Sequence, residues 1–117
     1  MDFKAEIKDN TIVVRLNGEL DDCAANKIKE KMDYLLYRKD VENIIFDMSK
    51  VNFMDSSGVG LLIGRYKQIK QRGGKACLIL EDNNIKRILK MSGVLHLFSC
   101  SSTEEEAFDS LQNMVLI

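Results

Sequence analysis

Two short, almost wholly apolar runs, Ile44-Ile45-Phe46-Asp47-Met48 and Ala76-Cys77-Leu78-Ile79-Leu80, are separated by a single segment with helical spacing. Runs of this kind read as strands buried on both faces. A strand–helix–strand unit joins parallel neighbours through a right-handed crossover. The centre of the chain is therefore predicted to be an α/β sheet. The intervening helix has Val59, Leu62, Ile63, Tyr66 and Ile69 as its inner stripe. Arg65, Lys67, Lys70 and Arg72 fall toward its end, where cations suit the helix dipole, and Gly73-Gly74 stops it.

The flanking segments add to this unit. Phe3 to Lys8 alternates apolar and polar residues, Asp9-Asn10 signals a turn, and Thr11 to Leu16 is a second β-rich run, so the chain opens with a hairpin. Gly18 and Asp21 are expected to end it, with Asp21 or Asp22 capping an amphipathic helix built on Ala25, Ile28, Met32, Leu35 and Leu36. Ser49-Lys50-Val51-Asn52 reads as a turn after the first central strand. Beyond the second central strand, Asn83 or Asn84 caps a short helix with Ile85, Ile88 and Leu89 inward, and Gly93 ends it. Val94 to Phe98 reads as a short edge strand. Thr103 and Glu106 form a capping box for a last helix, with Ala107, Phe108, Leu111 and Met114 or Val115 as its stripe. The predicted fold is α/β in one domain, residues 1–117: a mixed sheet of about four or five strands opening with a hairpin, packed with about four helices.

The composition is 45% hydrophobic and 30% charged with no proline, as in an ordinary folded domain. A net charge of −1 supplies no field to steer the chain toward nucleic acid or an anionic membrane, although Glu104-Glu105-Glu106 and Asp109 make the C-terminal region locally acidic. No apolar run approaches the ~20 residues that span a bilayer, and the N-terminus lacks a signal-peptide core, so a cytoplasmic location is expected. Cys23, Cys77 and Cys100 are odd in number and far apart, and His96 is the only histidine. That argues against a disulfide framework and a structural metal site; Cys77 reads as a small buried hydrophobe and Cys100 as a loop residue.

Between the first central strand and its helix lies Asp55-Ser56-Ser57-Gly58-Val59-Gly60. Two adjacent hydroxyls, beside a carboxylate and two glycines, fall at the mouth of a helix, where unpaired N–H groups and the positive end of the dipole suit a phosphate. Plain capping by Asp55, Ser56 or Ser57 accounts for the same residues. A serine can be both a cap and a modification site, since a phosphoserine adds charge and acceptors without requiring the domain to unfold. Catalysis has less support. The G-x-S-x-G elbow and the phosphate loop G-x-x-x-x-G-K-[ST] are both absent. His96, in Leu95-His96-Leu97, reads as a core or edge histidine. Gly60 and Gly64 read as permitting close packing on the sheet.

Leu16-Asn17-Gly18-Glu19-Leu20-Asp21, Phe53-Met54-Asp55-Ser56-Ser57-Gly58-Val59-Gly60, Gly64-Arg65-Tyr66-Lys67-Gln68-Ile69-Lys70-Gln71 and Met91-Ser92-Gly93 together resemble the STAS-domain anti-sigma factor antagonists of spore-forming and related bacteria. The resemblance covers nearly the whole chain. The run from Gly64 to Gln71 is most similar to the sporulation antagonist of the sigma-F system, with the general-stress antagonist or a ligand-sensing STAS module as alternatives. The resemblance implies a STAS fold and a non-enzymatic partner switch with no cofactor or metal. The unphosphorylated form would bind an anti-sigma factor that is also a serine kinase and so release a sigma factor. Phosphorylation would fall on Ser56, with Ser57 as second choice, and a PP2C-type phosphatase would reverse it. Asp21, Asp55, Ser56, Ser57 and Gly58 are the expected partner contacts. Asp22-Cys23 departs from the polar residues expected after Asp21.

Overall fold

The computed structural model describes residues 1–38, 40–81 and 84–112. The opening hairpin pairs β1 (Asp2–Lys8) with β2 (Thr11–Leu20), and the chain reverses at Asp9, whose φ of 56° is one that aspartate tolerates better than most residues. Then follow α1 (Asp22–Leu36), β3 (Asn43–Met54), α2 (Ser56–Gln71), β4 (Ala76–Ile79), α3 (Asn84–Met91), a 3₁₀ turn at Val94–His96, β5 (Ser99–Ser101) and α4 (Glu104–Gln112). The five strands lie in the order β1-β2-β3-β4-β5; β1 runs antiparallel to β2 and every other neighbour is parallel.

Strand alternation sorts the core into two layers. Ile12, Val14, Leu16, Ile44, Phe46 and Leu78 face α1, α2 and α3, where they meet Ile28, Met32, Leu62, Ile69, Ile85 and Leu89. Val13, Ile45, Cys77 and Ile79 face the other way, under Ala107 and Leu111 of α4. Helices on both faces explain why the central strands are continuously apolar. Phe46 is fully buried and meets the ring of Phe98 edge-on at 6.3 Å; Phe98 in turn lies 5.5 Å from Tyr66.

Several local expectations fail for identifiable reasons. β2 continues through Gly18, and β3 continues through Ser49–Asn52 as far as Met54. The register between them shifts at Arg15/Asn17 and again at Gly18/Glu19, so β3 bulges twice against β2. At the first bulge the Asp47 carboxylate accepts from the Ser49 N–H at 3.0 Å and from its hydroxyl at 2.6 Å, while Val51 anchors the strand in the core. The polar residues that resemble a turn are thus satisfied inside the ladder. Val94 to Phe98 is not a strand: Val94 and Phe98 are both buried at an i, i+4 spacing, which is helical. Gly93, at φ 83°, reverses the chain out of α3, and the edge strand comes later, at Ser99–Ser101. Cys100 therefore sits on β5 rather than in a loop, and His96 is exposed.

Most inner stripes are as the periodicity predicts. In α2, however, Leu61 and Arg65 are buried, while Val59, Ile63 and Tyr66 are only partly so. At the C-terminal end of the protein, Thr103 accepts from the Glu106 N–H, but the Glu106 carboxylate accepts from Ser102 rather than Thr103. Asn83, Met114 and Val115 lie outside the described residues.

Candidate functional site

β2 and β3 end in register, with Leu20 beside Met54, and each is followed at once by an aspartate that caps a helix. Asp21 has extended backbone and accepts from the Ala24 N–H at 2.9 Å. Asp55, also extended, accepts from the N–H groups of Ser57 at 2.9 Å and Gly58 at 3.3 Å. The parallel register thus sets two helix mouths side by side at the C-terminal ends of two neighbouring strands. The Asp55 N–H donates to the Leu20 carbonyl, and the Ser57 hydroxyl donates to Asp22 Oδ1 at 3.0 Å, so the mouths are also hydrogen-bonded together.

This end of the sheet gathers Asp21, Asp55, Ser56, Ser57 and Gly58, but in different environments. Ser56 is the first residue of α2 and is exposed; its hydroxyl makes no hydrogen bond among the described residues. Asp21, Asp55 and Ser57 are half-buried. Gly58 is buried because the backbone there approaches the strand ends. A Cβ would lie 2.5 Å from Met54 Cγ and 3.0 Å from Leu20 Cγ. Close approach, not a left-handed φ, is what requires glycine at this position.

The expectation that the α2 mouth is open to a phosphate needs correction. The Asp55 carboxylate already occupies the N–H groups of Ser57 and Gly58, and the Asp55 carbonyl takes Gly58 and Val59 in the first helical turn. An anion attached to Ser56 therefore does not find those N–H groups open and starts from a helix already capped by a carboxylate.

Two features escaped the sequence reading. The first is Asp22, whose contact with Ser57 follows from the register that aligns Leu20-Asp21-Asp22 with Met54-Asp55-Ser56. The second is the burial of Arg65, which the sequence groups with Lys67, Lys70 and Arg72 as a cation suited to the helix end. Its side chain is 8% exposed, and it crosses to α1, donating to Asp33 at 2.8 Å. Arg72 extends the link, donating to the carbonyls of Leu36, Arg38 and Val41 around the end of α1. Between the Ser57–Asp22 contact and Arg65 an open groove of about 330 Å³ runs along Ala25, Lys29, Gly60 and Gly64. A Cβ on Gly60 or Gly64 would meet nothing within 4 Å, so these glycines face the groove rather than packing on the sheet. Among the described residues, no group of three His, Cys, Asp or Glu side chains is disposed to hold a metal ion, and no helix is long and apolar enough to cross a membrane.

Comparison with known proteins adds to this geometry. Residues 2–107 match the STAS domain family. The chain is 35% identical over 101 residues to the anti-sigma F factor antagonist of Paenibacillus polymyxa, covering 86% of each chain. It is 34% identical over 116 residues to that of Lysinibacillus sphaericus, covering 98% of each. To the anti-sigma-B factor antagonist of Listeria monocytogenes it is 26% identical over 109 residues, covering 91% of this chain and 95% of the relative. Among solved structures, the anti-sigma factor antagonist SpoIIAA in its unphosphorylated form superposes with a TM-score of 0.79 at 30% identity, over 97% of this chain and all (100%) of the other. The Bacillus cell fate determinant SpoIIAA in its phosphorylated form gives 0.76 at 34% identity, over 93% and 98%.

Proposed function

Because this chain belongs to the STAS-domain family of anti-sigma factor antagonists, we propose that it is a phosphorylation-controlled switch in which Ser56 is the modified residue and sigma-F the factor released. Unmodified, it binds an anti-sigma factor that is also a serine kinase, through the surface around Asp21, Asp55, Ser56 and Ser57. Gly58 acts from beneath, by letting the α2 backbone sit against Leu20 and Met54. The kinase transfers phosphate to Ser56 and binding ends; a PP2C-type phosphatase restores it.

The observation that carries this reading is the exposed, unbonded hydroxyl of Ser56 on the first turn of α2, next to an aspartate cap that has already taken the neighbouring N–H groups. A phosphate there brings about −1.5 to −2 charges and three strong acceptors. With the cap occupied, those charges face outward from the exposed first turn of α2, next to the Asp55 cap, where a docked partner meets them. The fold has no need to change, because the capping and core contacts do not involve the Ser56 side chain. Sigma-F is favoured over sigma-B by the higher identity to the F-type relatives, 35% and 34% against 26%.

Peptide mass spectrometry after incubation with ATP and the anti-sigma F factor of Paenibacillus polymyxa tests the assignment. One phosphate on Ser56, and none on a Ser56→Ala variant, is expected. Undiminished modification of the variant would move the site elsewhere, and no modification of the folded parent would leave a ligand-sensing role.

A further inference from the structure

Ser56 and Ser57 are adjacent and chemically alike, yet the fold holds them differently. The Ser57 N–H is bonded to Asp55 and its hydroxyl reaches across to Asp22 Oδ1 at 3.0 Å, so the half-buried side chain is pinned between two helices. Nothing pins the Ser56 hydroxyl. We infer that Asp22 is the residue that makes Ser56, and not Ser57, the phosphate acceptor. The inference rests on the phosphorylation switch proposed above.

Two physical effects act in the same direction. In phosphoryl transfer from ATP, the serine Oγ forms a bond to the γ-phosphorus as the bond to the ADP oxygen breaks, and the hydroxyl proton leaves to a base of the kinase. Ser57 must give up its charge-assisted hydrogen bond before it can be presented in line; Ser56 gives up none. The products differ as well. A phosphate on Ser57 would begin beside the Asp22 carboxylate that its hydroxyl now contacts, a like-charge contact at the exposed mouth of the groove, whereas one on Ser56 starts from a hydroxyl that contacts no carboxylate. Lys29 lines the same groove, and Arg65 is already committed to Asp33. Asp22 is a positioning residue in this account. It is free for that role because the cap of α1 is the neighbouring Asp21.

The test uses the chain of residues 1–117. Phosphoserine is installed by codon suppression at position 56 or 57, in the parent and in Asp22→Ala, and thermal unfolding is recorded. In the parent, the form modified at 57 should melt about 5 °C or more below the form modified at 56, and Asp22→Ala should remove at least half of that gap. In parallel, Ser56→Ala and Ser56→Ala/Asp22→Ala are incubated with ATP and the anti-sigma F factor of Paenibacillus polymyxa. Phosphate on Ser57 should form about tenfold or more faster in the double variant. Equal melting of the two parent forms, a gap that persists in Asp22→Ala, or Ser57 modification that slows when Asp22 is removed would each overturn the inference; the last would make Asp22 an activating base. Absence of phosphate from the parent would instead overturn the switch reading, and the melting series, which needs no kinase, would still decide the part assigned to Asp22.

Discussion

Gly58 and Gly64 lie six residues apart on α2, and the same substitution is expected to act oppositely at the two positions. Replacing a helical glycine with alanine stabilises by about 0.5–1 kcal/mol when the new methyl has room. At Gly64 it has room, since nothing lies within 4 Å of the added Cβ, so Gly64→Ala should raise stability by about that amount. At Gly58 the methyl would sit 2.5 Å from Met54 Cγ and 3.0 and 3.1 Å from two atoms of Leu20. Met54 is 5% exposed and Leu20 fully buried, so neither can swing into solvent. Overpacking of this kind costs about 1–3 kcal/mol, against a propensity gain of at most about 1 kcal/mol. The net expectation for Gly58→Ala is a loss of about 1–2 kcal/mol, and a β-branched residue should lose more. Urea unfolding followed by circular dichroism measures both variants against the parent. If Gly58→Ala proves as stabilising as Gly64→Ala, the close approach of α2 to the strand ends is not a constraint, and the explanation given for Gly58 is wrong.

Three further outcomes follow from the ion pairs and caps. Asp33→Ala leaves the nearly buried Arg65 cation without its carboxylate, but the Asp33 side chain is itself 49% exposed, so the cost should be about 1–2 kcal/mol. Arg65→Met removes the charge and fills the space and should cost less than that, and urea midpoints for the two variants check the ranking. The Arg15 guanidinium, hydrogen-bonded to Glu104 and Glu6, holds the Glu104 carboxyl below its usual 4.5. A depressed carboxylate contributes stability above its unfolded value and loses it as pH falls through the folded one. Glu104→Gln should therefore weaken the protein at pH 7 and converge with the parent in urea titrations as the pH falls below the usual 4.5 and through the lowered folded-state value. Asp55→Ala should cost about 1 kcal/mol in thermal unfolding through loss of the α2 cap.

The strand–helix–strand centre was legible in the sequence because it rests on local chemistry, apolar runs and helical spacing; the caps were legible only as a choice, Asp21 or Asp22 and Asp55, Ser56 or Ser57, from which the fold takes Asp21 and Asp55. What the sequence hid was set by register. Ser49-Lys50-Val51-Asn52 resembles a turn until Asp47 is seen to satisfy Ser49 and Val51 to anchor the strand. Arg65 resembles a helix-end cation until Asp33 is found opposite it on α1. Asp22 and Ser57 are 35 residues apart and meet only because β2 and β3 end side by side. Of the proposed site, the pair Ser56-Ser57 was legible from its helix-mouth context and the choice of Ser56 came from the family resemblance alone; the contact that holds the two serines differently was not legible, because it comes from another helix.

Calorimetric titration of the anti-sigma F factor of Paenibacillus polymyxa with the unmodified chain, and with the chain carrying phosphoserine at position 56, tests the central claim most directly. The account predicts binding by the unmodified chain and affinity weakened about a hundredfold or more by the phosphate, the scale of like charges brought together at an interface. Equal affinities for the two forms, or no binding by the unmodified one, would contradict it.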